Sequence, residues 1–434
     1  MKQYIITGGN PLEGRCVLPA AKNSVLPLLA ASLLCEEQVT LRSVPNTADV
    51  QTSLQLLRFL GAETQFHKKC AQILPKEPLQ SELPWELAAA MRSSVFYLAP
   101  LLQKTGRVTM PMPGGCRLGP RLIDIHLDGL ARMGARVSWQ ARTVTLAKSG
   151  ILHGVDYTLR IPSVGATETL LMAAVTAHGV SILRGAACEP EVQDLAKFLQ
   201  KCGANIEGAG TPMIRVRGVQ ALAGCEYTPL PDRIIGATLA CAAACAGGRV
   251  ELLNAKREYM QDILALLQRA GCRVEYGQGV TVEAEGRLKA LGSIQTGAWP
   301  GFATDNAPLL AAAMLKADGT TTIEDTLFAK RFACAGQFAA LGARAVAEGR
   351  SIQIEGCETL QGASVTAPDL RGGAALVLAA LGADGVTSVQ DTGHIARGYP
   401  NLALMLRRLG ADVYTKTVQE RKKRQNTTNT PHFI

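Results

Sequence analysis

LLQRAGCRVE, residues 266–275, reads as the last turn of a helix, a glycine stop and the first residues of a strand. Its leucines fall on one helical face, Gly271 can take the positive φ that ends a helix, and the alternation after it suits a half-buried strand. Five other stretches repeat the pattern: LLRFLGAETQ (56–65), LARMGARVSW (130–139), FLQKCGANIE (198–207), FAALGARAVA (338–347) and MLRRLGADVY (405–414). The six glycines are Gly61, Gly134, Gly203, Gly271, Gly342 and Gly410, and they stand 73, 69, 68, 71 and 68 residues apart. A period near seventy marks one supersecondary unit copied six times.

Between these signatures lies a second one, an Ala/Leu-rich helix running into a β-branched strand. It is read at 26–44, 169–185, 238–254, 307–325 and 374–391. Helices without a polar face belong inside a core, not draped over a sheet. Solenoid repeats are usually shorter, about 20 to 50 residues. Six units divide as three plus three, and Thr228-Pro229-Leu230-Pro231 near the middle offers a crossover. The expected fold class is therefore α/β with two similar halves and a cleft between them.

The bulk composition is that of a globular protein, with 434 residues, 47% hydrophobic and 19% charged. Apolar runs such as Val25–Cys35 stop near half of the roughly 20 residues that a bilayer span needs, so no membrane insertion is expected. The N-terminal residues carry no secretory pattern, which leads to a cytoplasmic expectation. Of the formal charge of +9, the tail after Tyr414 holds +4. The modest balance left on the body suits anionic small molecules. No basic platform interleaved with aromatics is present, so nucleic acid is not expected as a partner. The 12 cysteines are scattered without Cys-x-x-Cys spacing, which reads as buried thiols and not as a zinc site.

One cysteine stands apart. Cys116 sits in Pro113-Gly114-Gly115-Cys116-Arg117-Leu118-Gly119-Pro120-Arg121, where three glycines imply flexibility and two arginines favour the thiolate. Other charged residues in apolar or turn-rich settings are Lys22 with Asn23, Arg92, Asp305, Asp369 with Arg371, and Arg397. His126, His394 and Asp49 are weaker candidates, and Asp49 before Val50 reads almost equally well as a helix cap.

The segments PAAKNSVLPLLAASLL (19–34), MRSS (91–94), PGGCRLGPRLIDIH (113–126), PSVGAT (162–167), EPEVQD (189–194), PDRI (231–234), TDNAPLL (304–310), PDLRGGAALVLA (368–379) and HIARGY (394–399) follow in an order and spacing that resembles the enolpyruvyl transferases, in particular the UDP-N-acetylglucosamine 1-carboxyvinyltransferases. The resemblance implies a pair of inside-out α/β barrels built from six βαβαββ units with helices at the centre. It places one domain at 21–229, a second at 1–20 plus 230–415, and a basic tail at 416–434. The implied substrates are phosphoenolpyruvate and UDP-N-acetylglucosamine, joined at an early step of peptidoglycan synthesis, with neither a metal nor an organic cofactor.

By the same resemblance Cys116 delivers a proton and forms an adduct, and Asp305 takes the proton of the sugar hydroxyl. Lys22, Arg121, Arg371 and Arg397, with Arg92 nearby, supply cations for phosphoenolpyruvate. Asn23 contacts the sugar. Leu122, Asp124 and Ile125, then Ser163, Val164 and Gly165, line the nucleotide; Leu327, Phe328, Arg331 and Asp369 complete the pocket. Fosfomycin, an epoxide mimic of phosphoenolpyruvate, is expected to modify Cys116.

Three departures from the family pattern stand out. Ile161 and Pro162 replace a lysine, Ile235 replaces an acid, and Ala329-Lys330-Arg331-Phe332 stands for Glu-Asn-Arg-Phe. These motivate one alternative, a paralogue that binds nucleotide sugar with little catalysis; the same-fold alternative is a shikimate-pathway enolpyruvyl transferase, against which Lys22-Asn23 and PGGCRLGP speak.

Overall fold

The computed structural model describes residues 1–114 and 123–417. All six signature glycines have positive φ, between 84° and 110°, and each closes a helix before a strand. In the unit that opens at strand Asp156–Thr158, the chain enters helix Val164–Ala174, returns as strand Val180–Arg184, crosses helix Pro190–Lys201, and ends in the hairpin Asn205–Glu207 and Met213–Arg217. Val180–Arg184 pairs parallel with the first strand and antiparallel with the last. That parallel pair requires the helical crossover.

Among the described residues each unit makes one small sheet, five of four strands and one of three. The three-stranded sheet belongs to the second unit, whose opening strand shrinks to a single bridge between Glu82 and Thr109. The N-terminal strands serve the other end of the chain. Lys2–Thr7 lies between Val386–Asp391 and Asp412–Thr417, and Leu12–Cys16 pairs parallel with Gly248–Leu252.

Packing separates two hydrophobic cores. One runs from Ala20 to Leu222; the other joins Tyr4–Leu18 to residues from Ile234 to Val413. At the centre of the second core the helices Arg233–Ala246, Ala307–Met314 and Leu370–Leu381 each touch the other two. Every residue of Ala307–Met314 is buried, as expected for a helix apolar on all sides. In the first core, Lys22–Ala31 and Val164–Ala174 both meet the 3₁₀ turn Arg92–Tyr97 that leads into Leu98–Thr105. That sixth inner helix escapes the sequence pattern because Pro100, Gln103 and Lys104 interrupt its Ala/Leu run. No helix among the described residues is long and apolar enough to cross a membrane.

The inner packing and the glycine stops make separable demands. Leu310 is 0% exposed among the central helices, so Leu310→Ala is expected to cost about 2–5 kcal/mol. Gly271 has φ +110° but open space where a Cβ would stand, so Gly271→Ala is expected to cost only about 1–2 kcal/mol, from backbone strain. Urea denaturation of the two variants checks this, and equal losses would contradict the buried-helix arrangement.

Candidate active site

Six of the candidate residues, Lys22, Asp305, Arg331, Asp369, Arg371 and Arg397, gather where the two cores meet. Backbone joins the seam, with the Ala21 N–H donating to the Leu230 carbonyl and the Asp232 N–H to that of Pro19, both at 2.8 Å. Inner helices start on each side of this pairing, at Lys22 and at Arg233. Asp232 caps one and ties down the other: Oδ1 accepts the Ile234 and Ile235 N–H at 2.9 Å, and Oδ2 accepts the Lys22 N–H at 3.1 Å. Ile235 is itself buried in the second core, so the position where the family pattern has an acid serves packing.

Asp49 spans the seam. It lies in the first turn of helix Ala48–Phe59, is 5% exposed, and accepts from Lys22 Nζ at 3.1 Å and from Arg397 Nε at 2.9 Å. The capping role read for it belongs to Thr47, whose hydroxyl accepts the Val50 N–H. Burial alone would raise the Asp49 carboxyl, but Lys22 and Arg397 outweigh it and hold the group below its ordinary range.

Asp305 makes the second cluster, inside the second core's edge. It meets Arg371 Nη2 at 3.1 Å and Arg331 Nη2 at 3.3 Å. Burial would raise its carboxyl too, yet Arg371 and Arg331, with Lys22 beyond them, bring it well below the carboxylate range. Aromatic rings support both guanidiniums: Arg331 lies over Phe328 at 4.8 Å, and Arg371 lies over Tyr399 at 5.6 Å while donating to its hydroxyl. Within this cluster Arg371 Nε and Asp369 Oδ2 are buried with no hydrogen-bond partner among the described residues, and Arg331 Nη2 has only its ionic contact with Asp305. The other Asp369 oxygen caps helix Leu370–Leu381 through the Arg371 and Gly372 N–H groups. A guanidinium with a spare N–H group suits a ligand rich in anionic oxygens.

A further group forms on the first core. Asp124 and Ile125 open helix Asp124–Arg132, and Ser163 caps helix Val164–Ala174 by accepting the Ala166 N–H. His126 joins the two helices through Nδ1 and the Thr169 hydroxyl at 2.9 Å, and its ring lies against Gly165, where an added Cβ would stand 3.2 Å from it. Burial, with Arg92 nearby, pulls the His126 imidazole down to about 3, so it is neutral at physiological pH. Ile161 and Pro162 are exposed, but Arg160 just before them pairs with Asp124, so a guanidinium stands beside this group. The N-terminus of an 11-residue helix, with its partial positive charge, suits a diphosphate.

Asn23 is half-buried beside Lys22; Arg92 and Phe328 are half-buried, and Leu327 is exposed. Cys116, Arg121 and Leu122 lie outside the described residues. The flanks of their segment are fixed, since Ile123 is buried and Gly114 packs so tightly that a Cβ would collide with the Ala89 carbonyl. Gly114 therefore allows a close approach of backbone to backbone, while Gly115 and Gly119, the other glycines from which flexibility was read, lie outside the described residues.

The seam thus brings Lys22, Asp305, Arg331, Asp369, Arg371 and Arg397 together with Asp49, a weaker candidate from the sequence, and with Thr304, Asp325 and Tyr399, which were not singled out as site residues. Of these three, Thr304 and Tyr399 carried a signal, as the first residue of TDNAPLL and the last of HIARGY, and Asp325 carried none.

A twin α/β fold with cations lining its seam is that of an enolpyruvyl transferase, and the chain belongs to that family: the model for EPSP synthase (3-phosphoshikimate 1-carboxyvinyltransferase) matches residues 6–417. Within the family it is 40% identical over 418 residues to UDP-N-acetylglucosamine 1-carboxyvinyltransferase 1 of Symbiobacterium thermophilum, covering 95% of each chain. It is 41% identical over 417 residues to UDP-N-acetylglucosamine 1-carboxyvinyltransferase of Methylacidiphilum infernorum, covering 95% of this chain and 98% of the relative. Among solved structures it is similar to the enolpyruvyl transferase NikO from Streptomyces tendae, with a TM-score of 0.86 at 25% identity over 96% of this chain and 99% of that one.

The Asp49 bridge has a pH signature. Its folded pKa lies below the unfolded value of about 3.9, so the stability it contributes is complete above about pH 4 and is lost as pH falls through the folded value. Asp49→Asn, which leaves Lys22 and Arg397 without their anion, is expected to cost about 3 kcal/mol at pH 7. The gap to wild type narrows as pH drops below about 4. Urea denaturation at neutral and acid pH checks this, and a gap independent of pH would contradict the bridge.

Proposed function

We propose that the chain transfers the enolpyruvyl group of phosphoenolpyruvate to the 3-hydroxyl of UDP-N-acetylglucosamine, releasing phosphate, as an early step of peptidoglycan synthesis in the cytoplasm. The observation that carries this reading is the cluster of cations at the seam, Lys22, Arg331, Arg371 and Arg397, in which Arg371 Nε has no hydrogen-bond partner among the described residues. Two cores of three repeats each would act as the domains 21–229 and 1–20 plus 230–415. The names of the relatives supply the acceptor, and the Arg160, Asp124 and Ser163 group offers it a surface suited to a nucleotide diphosphate.

In the reaction the sugar oxygen bonds to the central carbon of phosphoenolpyruvate as Asp305 takes the hydroxyl proton and Cys116 gives a proton to the methylene. The intermediate then loses a proton from its new methyl group, the double bond returns, and the carbon–oxygen bond to phosphate breaks. Lys22, Arg121, Arg371 and Arg397 hold the phosphate and carboxylate, with Arg92 nearby, and Arg331 and Asp369 keep the cleft in shape. Asn23, Leu122, Ile125, Val164, Gly165, Leu327 and Phe328 are assigned to the acceptor. Because Ile161, Pro162 and Ile235 depart from the family pattern, a binding paralogue with little turnover is the reading to be separated from this one.

Phosphate release with both substrates together, and with each alone, separates the two. Release only with the pair is expected, and nucleotide-sugar binding without release would favour the paralogue. Cys116→Ser is expected to lower kcat by about a hundredfold or more while nucleotide-sugar affinity changes little. Fosfomycin is expected to add to wild type and not to Cys116→Ser, read by intact mass.

A further inference from the structure

Asp325, which the proposed chemistry does not use, is completely buried directly after strand Thr320–Glu324. Its two oxygens face different partners. Oδ1 accepts the Leu327 N–H at 2.9 Å and the Phe328 N–H at 2.6 Å. Oδ2 accepts the Thr304 hydroxyl and lies 3.5 Å from Arg331 Nε. Arg331 Nε in turn donates to Thr304 Oγ1 at 2.9 Å, and Arg331 Nη2 reaches Asp305 at 3.3 Å. One oxygen therefore shapes the turn that carries Leu327 and Phe328, while the other holds both the chain neighbour and the ionic partner of Asp305.

The next repeat supplies a comparison. Asp391 also ends its strand and accepts turn N–H groups, from Gly393 at 3.0 Å, His394 at 2.7 Å and, on its second oxygen, Ile395 at 3.3 Å. Among the described residues it has no guanidinium partner, so the turn bonds belong to the repeat and the contact with Thr304 and Arg331 is particular to Asp325.

We infer that Asp325 is a positioning residue for the transfer reaction, setting the turn that flanks the acceptor and, through Thr304 and Arg331, the place of the Asp305 carboxylate. This rests on the function proposed above. Sharing of Arg331 between two carboxylates also limits how much of its charge falls on Asp305. Without the Asp325 anion, Asp305 faces Arg371, Arg331 and Lys22 with less relief and is a weaker base.

Asp325→Asn divides the two tasks. Its amide oxygen can keep the Leu327 and Phe328 N–H groups, whereas its NH₂ would face the donors Thr304 and Arg331. The variant is expected to lose about ten- to a hundredfold in kcat, with KM for UDP-N-acetylglucosamine within about twofold of wild type. Asp325→Ala gives up both oxygens, so KM is expected to rise as well, and the Leu327 and Phe328 amides should exchange hydrogen faster than in wild type or Asp325→Asn. If Asp325→Asn does not fold, Thr304→Val carries the test, with loss of kcat and retained KM expected. Full kcat in these variants beside an active wild type overturns the inference alone. A wild type that releases no phosphate from the two substrates overturns the functional reading, and this inference with it.

Discussion

A cation buried without a partner costs several kcal/mol, and this fold brings three buried cations, Lys22, Arg331 and Arg371, and the half-buried Arg397 to one seam. Carboxylates make that tolerable. Asp49 takes Lys22 from its own core and Arg397 from the other, while Asp305 and Asp325 share Arg331 and Asp305 also takes Arg371. The pairs do more than neutralise charge: Asp49 and Arg397 are 348 positions apart in the chain, so their contact specifies how the two cores face each other.

The repeat explains why so many functional groups reach this place. Lys22, Arg233 and Arg371 lie in the first turns of inner helices, Ser163 caps another, and Asp305 occupies the 3₁₀ turn that leads into Ala307–Met314. Arg92 opens the corresponding turn of the second unit. Outer helices contribute in the same sense, with Asp49 and Asp124 in their first turns. Helix N-termini expose N–H groups and carry partial positive charge. A unit repeated about a common centre thus turns one local property into a pocket suited to phosphate and carboxylate.

Much of this was legible locally. The period near seventy, the helix stops and the central position of five Ala/Leu helices follow from spacing and glycine, because those effects act within a few residues of the chain. The sixth inner helix was hidden by Pro100 and by polar Gln103 and Lys104. Lys22, Asp305, Arg371 and Arg397 could be picked out by resemblance, but which carboxylate faces which cation could not. Thr47 and Asp49 are both good capping residues two positions apart, and only the packing decides that one caps while the other crosses the seam. Asp325 looked like the end of a strand, which it also is; its contact with Thr304 and Arg331 depends on how two loops fold together.

The same pairing has a consequence for the proposed chemistry. With Arg371 and Arg331 turned on it, Asp305 is held so far below the usual carboxylate range that it is a poor base. An incoming phosphate and carboxylate would compete for those guanidiniums and, by adding negative charge nearby, return basicity to Asp305. Arg331 is already divided with Asp325, so a modest redistribution suffices. On this account the donor substrate helps to prepare the base that activates the acceptor, and the cleft stays neutralised before and after it is filled.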